Sequence, residues 1–140
     1  MTERTRWDEL LAGEIKVPAN DTLGFKMVPT DDPKQGISLS WTVPAELCNS
    51  VGDLQGGVMA AFVDAVLGVA AAGHLPDDRF PALADMHLSL LRPAPAGMNL
   101  TGRGRILKAG RRVLFAEAEV FDDDGRLIAK ASGTEIPADS

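Results

Sequence analysis

The stretch from Gly57 to Gly73 constrains this chain more than any other. It reads Gly-Val-Met-Ala-Ala-Phe-Val-Asp-Ala-Val-Leu-Gly-Val-Ala-Ala-Ala-Gly, and Asp64 is its only charge. A helix that is apolar around its whole circumference has no wet face, so other structure must wrap it. Gly57 to Leu75 is long enough, at about 19 residues, to span a bilayer. However, a mid-helix aspartate costs about 2.5–3.5 kcal/mol on insertion, and the apolar residues are mostly Ala, Val and Gly. A buried helix inside a single globular domain is therefore expected, with no membrane partner. The 140 residues are 45% hydrophobic and 24% charged, enough for a core without metals or disulfides.

The remaining text is strand-like. After a short amphipathic helix over Thr5 to Leu11, Pro18, Asn20 and Asp21 break the pattern. From Thr22, Leu23, Phe25 and Met27 alternate with polar or small neighbours, and Ile37, Leu39, Trp41 and Val43 do the same after a turn at Asp31-Asp32-Pro33, which predicts a first hairpin. Beyond the helix come four more runs: Ala84 to Leu90, Met98 to Leu107, Leu114 to Val120 and Arg126 to Ile136. Ala109-Gly110 and Asp124-Gly125 supply tight-turn chemistry with positive φ. The pattern predicts a hairpin, one helix and a four-strand antiparallel meander. Only one connection is long enough for a parallel crossover. The fold class expected is α+β: a six-stranded antiparallel sheet wrapped around one long buried helix, the hot-dog fold. The expected divisions are an N-terminal helical extension over 1–21, the main domain over 22–136 and a tail over 137–140.

The chemistry concentrates in Asn49-Ser50-Val51-Gly52-Asp53-Leu54-Gln55-Gly56-Gly57 and the helix behind it. Gly56 and Gly57 put backbone without side chains at a helix N-terminus, where the first N–H groups have no intrahelical partner and carry a positive field. Such a terminus can hold a developing oxyanion; two glycines before a helix are also an ordinary turn. A carboxylate at Asp64, two turns into an apolar helix, is costly unless paired or open to a cavity, and its raised pKa would suit a general base. Gly56 and Asp64 are eight positions apart, or about 12 Å along a helix. One carbonyl cannot sit within hydrogen-bond reach of both in one chain, so a shared reaction centre requires two subunits.

These residues resemble the PaaI-type hot-dog acyl-CoA thioesterases. The resemblance rests on Asn49, then Gly56-Gly57, then Asp64; on Asp85-Met86-His87-Leu88-Ser89-Leu90-Leu91-Arg92-Pro93-Ala94; on Lys108-Ala109-Gly110-Arg111-Arg112; and on Asp124-Gly125-Arg126-Leu127-Ile128-Ala129. It spans about Leu23 to Ile136. It implies hydrolysis of an acyl-CoA to free acid and CoA, with no metal or other cofactor beyond the coenzyme A of the substrate. It also implies a homodimer or a dimer of dimers. By the resemblance, Asn49 and the Gly56 N–H polarise the thioester carbonyl, while Asp64 of the second subunit activates water or attacks directly. Gln55 and Gly57 would touch the substrate beside them. Two departures stand out: Gln55 replaces a frequent His, and Leu83 or Ala82 stands where a Ser or Thr often helps to hold the water. These departures keep open an alternative, an acyl-CoA-binding protein with weak or no turnover.

Charge is segregated. The chain has 20 acidic and 14 basic residues, net −6, which argues against nucleic-acid binding by whole-surface attraction. Yet Met86 to Ala116 holds no acid and six bases. Arg103 and Arg105 fit a solvated sheet face, whereas Arg92, Lys108, Arg111 and Arg112 are the candidates for coenzyme A phosphates. Cys48 is the single cysteine, so no intrachain disulfide forms. The charged N-terminus has no apolar leader segment, and a cytoplasmic location is expected. The run Asp122-Asp123-Asp124 reads as a solvated turn, and Phe62, Leu83 and the two Trp as candidates to line an apolar pocket.

Overall fold

The computed structural model describes residues 3–139. Two short helices open the chain, α1 (Arg6–Leu11) and α2 (Pro18–Leu23). Thr5 caps α1 in a capping box: its hydroxyl accepts from the Asp8 N–H, and Asp8 accepts in return from the Thr5 N–H at 2.8 Å. Helix α2 lies where the sequence pattern predicts a break and then a strand. Pro18 is at its first position and Gly24, at φ +87°, closes it, so the breakers act as helix punctuation. The 21/22 boundary therefore falls inside a helix, and β1 shrinks to Lys26–Val28.

Strand β2 (Ile37–Thr42) pairs with β1. The long helix α3 (Gly56–Ala72) follows, then β3 (Arg79–Leu90), β4 (Asn99–Ala109), β5 (Leu114–Phe121) and β6 (Leu127–Asp139). Residues 137–139, expected as a tail, continue β6 against the start of β3. All pairings are antiparallel, and the spatial order is β1-β2-β4-β5-β6-β3. The hot-dog sheet is present, but the last four strands are not a meander. The segment from Leu91 to Met98 carries the chain from β3 back to pair β4 with β2, which leaves β3 as an edge strand beside β6. Gly125 takes the expected positive φ of +78°, whereas Gly110 does not; its N–H donates instead to the Val113 carbonyl at 2.9 Å.

The inner face of the sheet cups α3. Met59, Phe62, Val63, Val66 and Leu67 are buried against Leu39, Trp41, Leu100, Val120 and Ile128. Phe25, Trp41 and Phe62 stack with centroids 4.9–5.2 Å apart, and the Trp41 indole N–H donates to the Leu23 carbonyl at 2.8 Å, pinning α2 to the sheet. Gly102 and Gly104 let β4 touch the helix: a Cβ at Gly104 would lie 2.9 Å from the Val66 carbonyl oxygen. The sheet does not enclose the helix completely. Gly57 and Asp64 are exposed, and Ala61, Ala65, Gly68 and Ala72 half-buried. The face that looks apolar in sequence is thus a stripe of small residues left open in the single chain.

Candidate active site

Asn49 sits in a loop closed by bridges from Cys48 to Leu54 and from Asp53 to Pro95. Its carboxamide oxygen accepts the N–H groups of Val51 and Asp53 at 3.1 and 3.2 Å. Both partners are donors, so the oxygen must face them and the amide N–H₂ points the other way. At the start of α3, Val58 and Met59 donate to the Gln55 carbonyl, while the N–H groups of Gly56 and Gly57 have no acceptor among the described residues. Gln55 is exposed at the N-cap and makes no side-chain cap. A Cβ at Gly56 would press to 2.9 Å from Leu90, whereas Gly57 faces open space. Asn49, Gly56, Leu90 and Arg92 line one cavity of about 350 Å³.

Asp64 belongs to a different cavity. It opens, with Ala61, Ala65 and Gly68, into a space of about 500 Å³ walled by α1, α2 and the starts of β3 and the end of β6. The wall is mainly apolar, with Leu23, Phe25 and Val69 among its residues. Phe62 and Trp41 lie in the core instead, and neither Trp7 nor Leu83 lines this space. Partial loss of water around the otherwise exposed Asp64 side chain pushes its carboxyl above the ordinary value of 3.8. The two cavities share no lining residue, so one chain does not bring Asp64 to Asn49 and Gly56.

The cations are divided in the same way. Arg92 adjoins the Asn49 cavity and donates to the Leu127 carbonyl at 3.0 Å. Lys108, Arg111 and Arg112 are exposed around the β4–β5 hairpin. That tip lies near the row Leu114–Glu135–Leu83, whereas Leu90 pairs with Ala129. The separation along β6 is about 20 Å at strand rise. Arg103 lies over the Phe121 ring at 5.0 Å and Arg105 pairs with Glu117, both as sheet-face residues. Asp122 differs from the solvated turn expected: only 8% exposed, it accepts from the N–H groups of Arg126 and Asp124 and from the Arg126 guanidinium. These bonds, the Arg126 N–H first, hold its carboxyl below the usual range.

One residue of the Asp64 cavity was missed in the sequence. Glu135, on β6, is 1% exposed, lines the same space, and neither carboxylate oxygen has a partner among the described residues. Burial first, and the Asp64 charge second, push it up to about 7. Its signal was the strand's phase: Ala129, Ala131, Gly133 and Glu135 alternate on the helix-facing side.

Comparison with known proteins identifies the family and the fold. The thioesterase superfamily matches residues 51–129. The mouse (Mus musculus) protein acyl-coenzyme A thioesterase 13 is 26% identical over 137 residues, covering 96% of this chain and 95% of its own. A phenylacetic acid degradation-related protein of Ralstonia eutropha JMP134 is 33% identical, with a TM-score of 0.84 and coverage of 93% of this chain and 98% of that one. A Streptococcus mutans UA159 protein bound to acetyl CoA shares the fold at TM-score 0.76 and 21% identity, covering 91% and 95% of the two chains. Among the described residues, no helix is long and apolar enough to cross a membrane. With the family matched across the Gly-Gly turn, the helix aspartate and the sheet behind them, the chain belongs to the thioesterase superfamily, in its PaaI-type hot-dog branch, and is a thioester hydrolase.

Proposed function

We propose that this protein hydrolyses acyl-CoA thioesters at a site assembled from two copies of the chain. The observation that carries the reading is the split of the machinery: a proton-seeking carboxylate in one cavity and bare N–H donors in another. Strand β3 provides the means to join them. It is an edge strand of 12 residues, with Phe80, Leu83 and Leu90 exposed along it. An unpaired apolar edge of this length is a template for a second strand. Two β3 strands paired antiparallel would bring the Arg79 end of one chain beside the Leu90 end of the other. Asp64 then approaches Asn49 and Gly56 of the second chain. The Lys108, Arg111 and Arg112 hairpin approaches its Arg92, gathering cations for the coenzyme A phosphates.

In this site the carbonyl oxygen accepts from the Gly56 N–H and the Asn49 amide. Gly57, without a Cβ, and Gln55, with one donor and one acceptor, border the approach. Asp64 takes a proton from water as the water oxygen bonds to the carbonyl carbon. Charge collects on the oxygen held by the two donors. Collapse breaks the C–S bond, and the leaving thiolate takes the proton from Asp64. The acyl group lies in the apolar cavity beside Asp64. Water, a carboxylate and fixed donors complete the chemistry, so the reading needs no metal or redox cofactor. The mouse relative's name, acyl-coenzyme A thioesterase, and the acetyl CoA on the Streptococcus protein support the substrate class. A lone cysteine fits a reducing compartment such as the cytoplasm.

Release of free thiol from a panel of acyl-CoAs tests the reading. Wild type is expected to turn over at least one of them, and Asp64→Asn to lose at least about a hundredfold, within the range for a positioned base. Tight acyl-CoA binding without thiol release would favour a binding protein instead.

A further inference from the structure

Glu135 is the one buried carboxylate whose surroundings the mechanism above leaves unexplained. Both its oxygens lack a partner although the residue is 1% exposed, and native buried polar groups are nearly always satisfied by protein or by ordered water. The cations that share its cavity are Arg6, Lys16 and Arg79, and none pairs with it or with Asp64 among the described residues. Arg6 donates to the Asp77 and Arg79 carbonyls, and Arg79 donates to the Pro137 carbonyl and lies 3.4 Å from Asp139. The register partners of Glu135 are Leu83 on β3 and Leu114 on β5, neither with a polar side chain. From α3, the facing ionisable group is Asp64.

We propose that Glu135 is the second carboxylate of the hydrolytic site, holding the attacking water against Asp64. The inference rests on the thioesterase reading above and assigns a residue that reading does not use. A water in a polar recess needs two to four hydrogen-bond partners. Two carboxylates on one cavity wall give it one acceptor for each O–H, and the oxygen lone pair is left to face the thioester carbon. One hydrogen passes to Asp64 as the C–O bond forms. The other stays on the new acid group, still directed at Glu135, so Glu135 begins and ends each cycle in the same protonation state. The C–S bond breaks as before, and the thiolate leaves with the proton from Asp64. When Glu135 is protonated, its O–H can instead donate to the water oxygen and occupy the lone pair needed for attack. Its elevation to about 7, caused by burial and then by Asp64, places this change near neutrality.

The test is kcat and KM for wild type, Glu135→Gln and Glu135→Leu from about pH 5.5 to about pH 8.5, the span in which a general-base profile is read, with Asp64→Asn measured alongside. Wild-type kcat is expected to climb through an inflection near 7. Glu135→Gln, which keeps one acceptor, should lose several-fold in kcat and lose that inflection. Glu135→Leu should lose about 10- to 100-fold in kcat with KM nearly unchanged. If the leucine variant fails to fold, the pH profile of Glu135→Gln decides. A glutamine or leucine variant with the wild-type kcat and inflection overturns the proposal. So does a leucine variant that changes KM and acyl preference but not kcat, which would make Glu135 a wall of the acyl cavity. Full activity in Asp64→Asn would instead overturn the thioesterase site itself. Loss there with an indifferent Glu135 would overturn only this inference.

Discussion

Asn49 spends one half of its side chain on structure, and the proposed site uses the other half for chemistry. Its oxygen holds the Val51 and Asp53 N–H groups, so Asn49→Asp preserves the loop while exchanging the free donor for an oxygen. The expected result is a folded protein with kcat lowered about 10²–10³-fold, the usual cost of one lost oxyanion donor, checked by circular dichroism beside thiol release. Glu135 makes a prediction on stability. Its carboxyl stands at about 7 in the fold against an ordinary 4.5, so the folded state binds the proton more tightly than the unfolded chain. That contribution is complete below about 4.5 and is lost as pH rises through about 7. Thermal melts should find the Tm of Glu135→Gln, relative to wild type, higher at pH 8 than at pH 4. The reverse order would mean that the carboxylate has a counter-charge. Asp64 was legible because a lone acid in an apolar helix stands out. Glu135 was not, because a glutamate in a strand is ordinary until the strand's phase turns it inward.

At the scale of elements, local alternation located β2 to β6 and the β1–β2, β4–β5 and β5–β6 neighbours, but not the start of β1 or the place of β3. The inward set Leu114, Ala116, Ala118 and Val120 on β5 is buried as the pattern required. Partner choice depends on contacts far apart in the chain, and the connection from Leu91 to Met98 sends β4 to β2 rather than to β3. Helix α2 was hidden because Pro18, Asn20 and Asp21 are common to turns and helix starts alike. The role of the β4 glycines required the helix to be in view. Gly104→Ala would drive a methyl against the Val66 carbonyl oxygen at 2.9 Å, a backbone atom with little freedom to move. Denaturant unfolding should find it destabilised by about 1–3 kcal/mol, as for overpacked cores. The same substitution at Gly57, which meets nothing within 4 Å, should leave packing intact.

On the scale of the whole molecule, each feature that is incomplete in one chain lies toward β3. The proposed dimer would reconcile the open stripe of α3, the unpaired strand edge and the two half-sites about one two-fold axis, and a closed dimer would make both sites equivalent. The need for a second chain, if Gly56 and Asp64 share a reaction centre, was readable from their spacing along one helix, because the rise per residue is fixed. The strand proposed to join the copies was not readable, since the edge position of β3 is a property of topology. The decisive measurement is complementation. Asp64→Asn and Asn49→Ala proteins, each purified inactive, are mixed, unfolded and refolded together, and assayed for thiol release. Random pairing leaves one intact composite site in each mixed dimer, so the account predicts recovery of about a quarter of wild-type activity per chain. Activity no greater than the sum of the two separate variants would contradict it.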